Sequence, residues 1–349
     1  MDTWFDQIVS LPNLYRAAHA ASLGKKSNPD VALFRFRLEA LVLSLHNDLA
    51  SGRYRHGKYR IFSIFEPKKR EIAKAPFRDR VVHHAVHDVI ESVLDRSFFH
   101  DSYACRKGKG THAALARARS FLMASNFCLH GDVTKYFPSV NRDILRRLLY
   151  ARVGEKRLRA LLDEIIDSAA HVFPGNTGLP IGNLTSQFFA NLYLHELDHF
   201  VKHVLRCRYY IRYMDDFLLF DDDPAVLAVW KDRIRDFLLS NLALRLHENK
   251  TALHSTRRGF AFLGFYISRT GTRVAAQGLR RLRARLKHFR YLRKKGAVTE
   301  EELASSIACW GAHSAYAETV ALRMALAGEA AQWSAAVPAA LLSLRTAHF

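Results

Sequence analysis

The chain has 349 residues, and its 53 lysines and arginines outnumber its 33 aspartates and glutamates, which gives a formal net charge of +20 at pH 7. A chain of this length can bury a large core and usually divides into two or three subdomains. The excess of positive charge predicts a polyanionic partner, and the sequence lacks the run of about 18 apolar residues that would predict a membrane-spanning helix. The segment before Arg16 contains acids and no base, so we expect no signal peptide, no membrane partner and a cytoplasmic location.

Other signals for metal or disulfide sites are weak. The four cysteines are widely spaced and form no CxxC pair, which is typical of reduced thiols: Cys105, Cys128, Cys207 and Cys309. His195 and His199 fit the HExxH zinc pattern, but their predicted helix carries core-facing apolar residues and no third ligand can be assigned. We therefore expect a surface or packing role for them, and we expect His83, His84 and His87 on another helix to face RNA or solvent.

The first third of the chain predicts helices around one basic hairpin. Residues 1–22 form a short amphipathic lead, and apolar residues at helical spacing predict a helix over 23–50. Residues 58–75 alternate in polarity and are basic, with a turn at 66–69 between two strands. A further helix is predicted over 78–95.

An acidic strand and two helical regions follow. Residues 127–133 predict a short apolar strand that carries Asp132 near its C-terminal end. Helical segments are predicted over 141–170 and 185–204, and the glycine- and proline-containing segment 178–183 predicts a loop between them.

Two apolar, aromatic-rich runs flank the tetrad Tyr213–Asp216, and this pattern predicts a β-hairpin with adjacent carboxylates at its tip. Asp223 and Pro224 then predict the start of a helix that reaches about Asn241. A strand is predicted after it, over 242–247.

The order of these elements from 127 to 249 predicts a βαββαβ arrangement of the ferredoxin-like type, an antiparallel sheet backed by helices. This arrangement places Asp132 and the hairpin tip on neighbouring central strands. After residue 275, basic residues interleaved with leucine and aromatic residues predict a helix that ends near Gly296, with an alanine-rich helical tail beyond it.

Three carboxylates from two distant segments would then share one place: Asp132, Asp215 and Asp216. Burying like charges side by side is unfavourable unless a cation neutralises them. Mg²⁺ prefers carboxylate oxygens and substrate phosphates, and phosphoryl transfer by two metal ions needs carboxylates that bridge ions roughly 3.5–4 Å apart. These acids lie in an apolar context, unlike the acids at 221–223 beside a helix start, so the sequence predicts a two-Mg²⁺ site for phosphoryl transfer.

With these motifs the chain resembles a reverse transcriptase over about residues 28–270, with a thumb-like helical region beyond. Tyr213–Asp216 matches the most specific motif of that family, and Asp132–Phe137 is similar to the motif that carries the first catalytic acid and a steric gate against a 2′-hydroxyl. The resemblance implies an α+β right-hand polymerase fold with fingers, a ferredoxin-like palm and a helical thumb. The corresponding boundaries are an N-terminal extension at 1–22, fingers at 23–126, palm at 127–270 with 140–185 partly connecting it to the fingers, and a basic thumb at 271–349.

The resemblance also assigns roles to individual residues. Catalysis would depend on Asp132, Asp215, Asp216 and Lys250, and two Mg²⁺ ions would bind the three aspartates and Val133. The incoming dNTP would contact Lys68, Arg70, Tyr136, Phe137, Ile181 and Gly182. Template and primer would contact Arg78, Arg80, Tyr213, Met214, Ser186, Gln187, Phe262, Leu263, Gly264, Arg281 and Arg285. The implied ligands are a template RNA, the RNA–DNA hybrid and dNTPs.

One segment departs from the commonest bacterial pattern. Most bacterial reverse transcriptases carry Gln-Gly and then Ser-Pro, whereas this chain has Ile181-Gly182 and then Ser186-Gln187. This variant resembles the reverse transcriptases of diversity-generating retroelements. The segments Tyr103–Arg106, Gly110–Ala113 and Cys309–His313 are also similar to that group. Members of the group copy a template-repeat RNA with errors opposite adenine and use a small, basic, oligomeric accessory variability protein, which the resemblance implies here.

Three alternatives stay open at this point. The first is a retron-type or phage-defence reverse transcriptase without adenine-specific mutagenesis. A group II intron enzyme is less favoured, because the sequence carries no maturase extension or endonuclease domain. The third alternative, a non-catalytic RNA-binding scaffold, does not require the three aspartates and Lys250, which are all intact.

Overall fold

The computed structural model of the chain describes residues 3–25, 27–65 and 69–342. Its helices are α1 (Trp4–Val9), α2 (Leu11–Ser22), α3 (Pro29–Phe36), α4 (Leu38–Ala50), α5 (Phe77–Leu94), α6 (Thr111–Met123), α7 (Tyr136–Ser139), α8 (Arg142–Tyr150), α9 (Lys156–Asp167), α10 (Leu184–His199), α11 (Pro224–Leu242), α12 (Ala276–Lys294), α13 (Glu300–Ser314), α14 (Val320–Ala331) and α15 (Ala336–Leu342). Its strands are β1 (Arg60–Ile64), β2 (Arg70–Lys74), β3 (Phe127–Asp132), β4 (Tyr209–Tyr213), β5 (Asp216–Asp221), β6 (Ala252–Ser255), β7 (Phe260–Phe262), β8 (Phe265–Ile267) and β9 (Thr272–Val274).

The N-terminal residues form two helices that belong to the core. A capping box starts α1, in which Thr3 and Asp6 each accept a hydrogen bond from the other's backbone N–H. Leu14 in α2 is fully buried, and the side-chain amide of Asn13 donates to the carbonyl of Ala85 in α5 at 3.2 Å. The amphipathic lead expected over 1–22 therefore packs on α5.

The helix predicted over 23–50 is in fact two helices. Asn28 caps α3 by accepting a hydrogen bond from the N–H of Asp30, and Pro29 occupies the first helical position. Arg37 leaves helical geometry (φ −108°, ψ 32°) and separates α3 from α4. No glycine or proline stands at this break, so the apolar periodicity alone did not reveal it.

A basic hairpin follows, as predicted. β1 and β2 pair antiparallel, from Arg60 opposite Lys74 to Ile64 opposite Arg70. All five residues of β1 are exposed, whereas Ala73 in β2 is buried. Three residues of the predicted turn, 66–68, lie outside the described residues.

The sheet that carries the aspartates has the strand order β4-β5-β3-β6. Strands β5 and β3 are neighbours in this sheet, which confirms the prediction that the hairpin tip and Asp132 lie on adjacent strands. The strand predicted over 242–247 was wrong, because α11 continues to Leu242 and Ala243 then turns the chain with a positive φ of 50°. Leu246 forms an isolated bridge to Val133, just beyond the end of β3, and the fourth strand of the sheet is β6.

The described residues form two compact units, and strands β3 and β5 contribute to both. The first unit contains the described residues of Met1–Gly110, His130–Leu218 and Ala228–Ala252. The second contains those of Thr111–Leu129, Leu219–Leu227 and Leu253–Phe349. The mixed class of helices with antiparallel sheets is confirmed, whereas the division into fingers, palm and thumb stays a prediction.

The second unit combines a small sheet with a helical bundle. Strands β7, β8 and β9 form an antiparallel meander, and α12 to α15 enclose a core of leucines, isoleucine and valine. The basic helix α12 ends at Lys294, with Gly296 at a φ of 67°, as the sequence predicted. Among the helices of the described residues, none is both long enough and apolar enough to span a membrane.

Candidate active site

The turn between β4 and β5 presents Asp215 beside the end of β3. Met214 occupies the left-handed region (φ 56°), and its carbonyl accepts a hydrogen bond from Nη1 of Arg212 at 3.1 Å. This bond holds an unfavourable backbone conformation in place. Because β3 adjoins β5, Asp132 at the end of β3 lies next to Asp215 and Asp216.

The three carboxylates are close enough to repel one another. Burial, together with the charges of Asp132 and Asp216, raises the pKa of Asp215 to about 6, against the lowering effects of a backbone N–H of Asp215 itself and of Lys250. A carboxylate in this state favours any cation that enters the cluster. The structure thus brings these four residues together; their catalytic roles stay a prediction.

Lys250 neutralises the first aspartate. Its Nζ lies 2.7 Å from Oδ1 of Asp132, with 43% of the lysine side chain and 18% of the aspartate side chain exposed. A short 3₁₀ turn, Glu248–Lys250, presents the lysine, and the N–H of His247 donates to the backbone carbonyl of Asp132 at 2.8 Å. The lysine can therefore reach an anionic ligand at the carboxylates without moving its backbone.

His130 contacts the third aspartate. Its Nε2 lies 2.6 Å from Oδ1 of Asp216 across the β3–β5 pair. Between His130 and Asp132 stands Gly131, where a Cβ would overlap the ring of Phe217, the residue after Asp216. The close approach of the two strands therefore requires glycine at this position.

The donor set suits Mg²⁺ in kind. Asp132 and Asp216 each engage one carboxylate oxygen with Lys250 or His130, and these bonds leave the other oxygen of each for a metal ion. In the described residues no three His, Cys, Asp or Glu side chains are already gathered as a metal-holding group. A bound cation would draw the free oxygens together and offset their repulsion.

Arg212 supports the turn that carries Asp215, and the sequence did not predict this role. Its guanidinium is fully buried and forms a bidentate ion pair with Asp198 of α10. In the sequence, Asp198 lies between the two histidines of the HExxH pattern, His195 and His199. Its carboxylate is already paired with Arg212. An arginine three residues before the paired acids, inside an apolar strand, was the available signal, since a buried arginine needs a carboxylate partner.

The residues predicted to contact the dNTP differ in the exposure of their side chains. Arg70 lies exposed at the start of β2, Phe137 is half-buried, and Lys68 lies outside the described residues. Tyr136 is buried, and its hydroxyl donates to the carbonyl of Ala190 at 2.5 Å, and its contact with the dNTP stays a prediction.

Val133 contributes through its backbone only. Its side chain is buried, and it forms the bridge to Leu246. The prediction that it helps to bind metal therefore concerns its carbonyl oxygen.

The segment Ile181–Gly182 is fixed against the basic hairpin. The carbonyl of Ile181 accepts from the N–H of Ala73 in β2 at 3.0 Å. Gly182 has a φ of 112°, and a Cβ there would stand 2.8 Å from Cγ2 of Ile72. Glycine is therefore required at 182, whereas the side chain at 181 is half-buried.

A polar cleft of about 200 Å³ lies beside this segment. It is lined by Lys25, Arg80, His83, His84, Gly182, Asn183, Leu184 and Gln187. Arg80 and Gln187 were predicted to contact template, and both face this cleft. Ser186 is buried, and its contact with the template stays a prediction. His83 is also buried and bonds to Thr185 at 2.6 Å, which corrects the expectation that it faces RNA or solvent.

Three other template or primer contacts are constrained by structure. Arg78 forms an ion pair with Asp48 at 2.7 Å, and one third of its side chain is exposed. Met214 is buried at the turn, whereas Tyr213 is half-buried like Asp215 and Asp216. The contacts of Tyr213 and Met214 with template or primer stay predictions.

The predicted primer contacts of the second unit lie on a tight turn and on α12. Phe262 is buried, and Leu263 and Gly264 form the turn between β7 and β8 with φ values of 49° and 86°, and the primer contacts of all three residues stay predictions. On α12, Arg281 is exposed and Arg285 is half-buried, one turn apart on the same side of the helix.

Comparison with known proteins agrees with this arrangement of residues. Residues 63–267, more than half of the chain, match the family described as Reverse transcriptase (RNA-dependent DNA polymerase). Protein YkfC of Escherichia coli (strain K12) is 25% identical over 287 residues, which cover 69% of this chain and 74% of YkfC. Group II intron-encoded protein LtrA of Lactococcus lactis subsp. cremoris is 23% identical over 200 residues, which cover 55% of this chain and 33% of LtrA.

Solved structures show weaker similarity. A chain in "Structure of apo telomerase from Candida Tropicalis" aligns with a TM-score of 0.48 at 12% identity, over 77% of this chain and 60% of that one. A chain in "Partial Cas6-RT-Cas1--Cas2 complex" aligns with a TM-score of 0.42 at 22% identity, over 68% of this chain and 43% of that one. The present chain therefore spans a third of LtrA and less than two thirds of either structural neighbour.

Proposed function

Because this chain belongs to the reverse transcriptase family and is an RNA-directed DNA polymerase with the right-hand fold of that family, we propose that it copies a template-repeat RNA into cDNA with errors opposite adenine, for the diversification of a target gene. Its ligands are template RNA, the RNA–DNA hybrid and dNTPs, and its partner is a small, basic, oligomeric accessory variability protein. The observation that carries the finer proposal is the Ile181-Gly182 segment, where the commonest bacterial sequence has glutamine before the glycine.

The reaction joins the primer 3′-oxygen to the α-phosphorus of a dNTP and breaks the bond to pyrophosphate. Two Mg²⁺ ions, when bound, would lower the pKa of the 3′-hydroxyl and neutralise the phosphate charge. Asp132, Asp215 and Asp216 are the side chains that would hold them. Lys250, at 2.7 Å from Asp132, is placed to move to the departing pyrophosphate and to give it a proton.

The contacts around Ile181 support a role in fidelity. Its carbonyl is fixed by Ala73 and the next residue must be glycine, so the backbone here cannot shift to compensate for a change of side chain. A glutamine at 181 could hydrogen-bond to the nascent base pair, whereas isoleucine can only pack against it. The loss of one such contact weakens selection by roughly 1–3 kcal/mol.

The test is primer extension on a mixed-sequence RNA with all four dNTPs and Mg²⁺, followed by sequencing of the cDNA. We expect errors concentrated at template adenines, fewer of them in Ile181→Gln, and an unchanged pattern in the matched apolar variant Ile181→Val. An Asp215→Asn, Asp216→Asn double variant should make no cDNA and still bind RNA. Synthesis by that variant would exclude the proposed metal site.

The alternative proposal is a retron-type or phage-defence reverse transcriptase without adenine-specific errors. Low or evenly distributed errors in the same cDNA, with no response to Ile181→Gln, would favour it. A non-catalytic scaffold is disfavoured by the gathered Asp132, Asp215 and Lys250, which RNA binding alone does not need.

A further inference from the structure

His130 is the one histidine of the described residues that hydrogen-bonds to a member of the carboxylate cluster. It stands two residues before Asp132 on β3, so both side chains leave the same face of the sheet. Its Nε2 crosses to Oδ1 of Asp216 on β5 at 2.6 Å. Only 19% of the histidine and 25% of the aspartate side chain are exposed, so solvent competes weakly for this bond.

The contact of His130 with Asp216 resembles the contact of Lys250 with Asp132. Lys250 holds one oxygen of Asp132, and His130 holds one oxygen of Asp216, each at a short distance. The two donors differ in freedom, since the lysine has four rotatable carbons and 43% exposure, whereas the imidazole is stiff and more buried. The side chain of Lys250 can therefore move from Asp132 to a bound substrate, whereas the side chain of His130 is suited to stay hydrogen-bonded to Asp216.

Phe217 and Gly131 hold the two strands close together on the opposite face of the sheet from His130. The ring of Phe217 packs where a Cβ on residue 131 would stand, so the strands cannot separate without opening a cavity on that face. Phe217 is fully buried. The imidazole therefore meets Asp216 at a preset distance and angle.

We propose that His130 is a positioning residue for Asp216. Its N–H holds Oδ1 of that carboxylate and thereby presents the other oxygen to the space shared with Asp132 and Asp215, where the divalent cation binds. The inference rests on the proposed two-metal site, and it adds the residue that orients the third ligand. Groups that orient a metal ligand through a hydrogen bond typically change metal affinity or activity about 10–100-fold when they are removed.

The test compares His130→Ala, which removes the donor, with His130→Gln, whose amide can place an N–H near the same point. Mn²⁺ binding to the full-length chain, measured by electron paramagnetic resonance without any substrate, should weaken about 10-fold in the alanine variant and be largely restored in the glutamine variant. In primer extension, the Mg²⁺ concentration for half-maximal rate should rise by a similar factor in His130→Ala. The rate at saturating Mg²⁺ and the KM for dNTP should change much less.

Two controls separate this role from a general structural one. The effect of His130→Ala on Mn²⁺ binding should vanish in an Asp216→Asn background, because the two residues act through one bond. His288→Ala, at an exposed position on α12, should leave Mn²⁺ binding unchanged.

Three results would overturn the proposal: equal loss of Mn²⁺ binding in the alanine and glutamine variants, additivity with Asp216→Asn, or a fall in maximal rate with Mn²⁺ binding intact. Failure of the proposed adenine-specific copying would leave the Mn²⁺ measurement unaffected, so the two ideas fail separately.

Discussion

Arg212 and Asp198 form a fully buried, bidentate ion pair, with Nε and Nη2 of the arginine each 2.6 Å from a different carboxylate oxygen. The hydroxyl of Tyr210 also donates to Asp198, at 2.8 Å, and the arginine has Nη1 left to bind the carbonyl of Met214. Burial alone would raise the pKa of Asp198, but the adjacent guanidinium outweighs it, and the pKa lies below its usual value. The pair therefore stays ionised and fixes the turn that carries Asp215.

Breaking this pair should destabilise the fold strongly. Asp198→Asn leaves the Arg212 charge buried without a counter-charge, so we expect a loss of about 3–5 kcal/mol in the free energy of unfolding. Urea denaturation at pH 7.5 measures it. The matched control is Asp232→Asn, which removes an exposed partner of Arg235 and should change stability by roughly 0–1 kcal/mol. Equal small effects in both variants would show that the buried pair does not support the turn.

Gly131→Ala tests the close approach of β3 and β5. A Cβ at this position overlaps the ring of Phe217, so the strands must separate or the ring must move. We expect a loss of about 1–3 kcal/mol in stability, the usual effect of overpacking, together with reduced polymerisation because Asp132 and Asp216 shift apart. Gly154→Ala is the control, since a Cβ there has open space. Full activity in Gly131→Ala would contradict the argument.

His56 and His83 belong to a buried chain of hydrogen bonds. The partners of the two rings determine which ring nitrogens carry a proton. Nδ1 of His56 lies 2.6 Å from the carbonyl of Gly57, which can only accept, so this nitrogen carries the proton. Nε2 of His56 must then accept from Nε2 of His83 at 3.0 Å, and Nδ1 of His83 must accept from the hydroxyl of Thr185. Both rings are neutral in this arrangement, and burial lowers the pKa of each, that of His83 most strongly.

Stability should therefore fall as the pH drops below the ordinary histidine value of 6.5. Between pH 6.5 and the lowered pKa values, the two histidines bind protons in the unfolded chain but stay neutral in the folded chain. Their contribution to the free energy of unfolding is therefore complete above pH 6.5 and is lost as the pH falls towards the lowered pKa values. Urea denaturation at pH 7.5 and 5.5 measures the loss. His83→Gln should be less stable at pH 7.5 but lose less between the two pH values. His288→Gln, on the exposed face of α12, should lose as much as the unchanged chain, and an equal loss in His83→Gln would contradict the prediction.

The carboxylate cluster could be predicted from sequence because each part had a local signal. Asp215 and Asp216 interrupt an apolar hairpin, Asp132 ends an apolar strand, and the ferredoxin-like order makes those strands neighbours. The hydrogen-bond partner of Asp216 had no such signal. His130 looks like any polar residue of a strand, and its contact with Asp216 spans 86 positions.

The burial of individual side chains could not be predicted from the motifs. Tyr136, Ser186, Met214 and Phe262 were assigned to substrate because they belong to motifs, and the structure buries each of these side chains, while the assigned contacts stay predictions. A motif fixes the path of the chain, and only packing decides which side chain faces the cleft. The strand expected over 242–247 failed for a related reason, since the left-handed turn at Ala243 leaves no mark in an apolar pattern.

The basic helix α12 should bind the nucleic-acid backbone through Arg281 and Arg285. Each lost phosphate contact lowers the slope of log affinity against log salt by roughly 0.7–0.9, so Arg281→Gln with Arg285→Gln should flatten it by up to about 1.8. Fluorescence anisotropy with an RNA–DNA hybrid from 50 to about 200 mM salt measures the slope. Arg235→Gln is the matched control, because that arginine is exposed on α11 but pairs with Asp232. If the double variant keeps the original slope while its affinity falls equally at every salt concentration, the loss comes from the fold of α12, and these arginines do not contact phosphate.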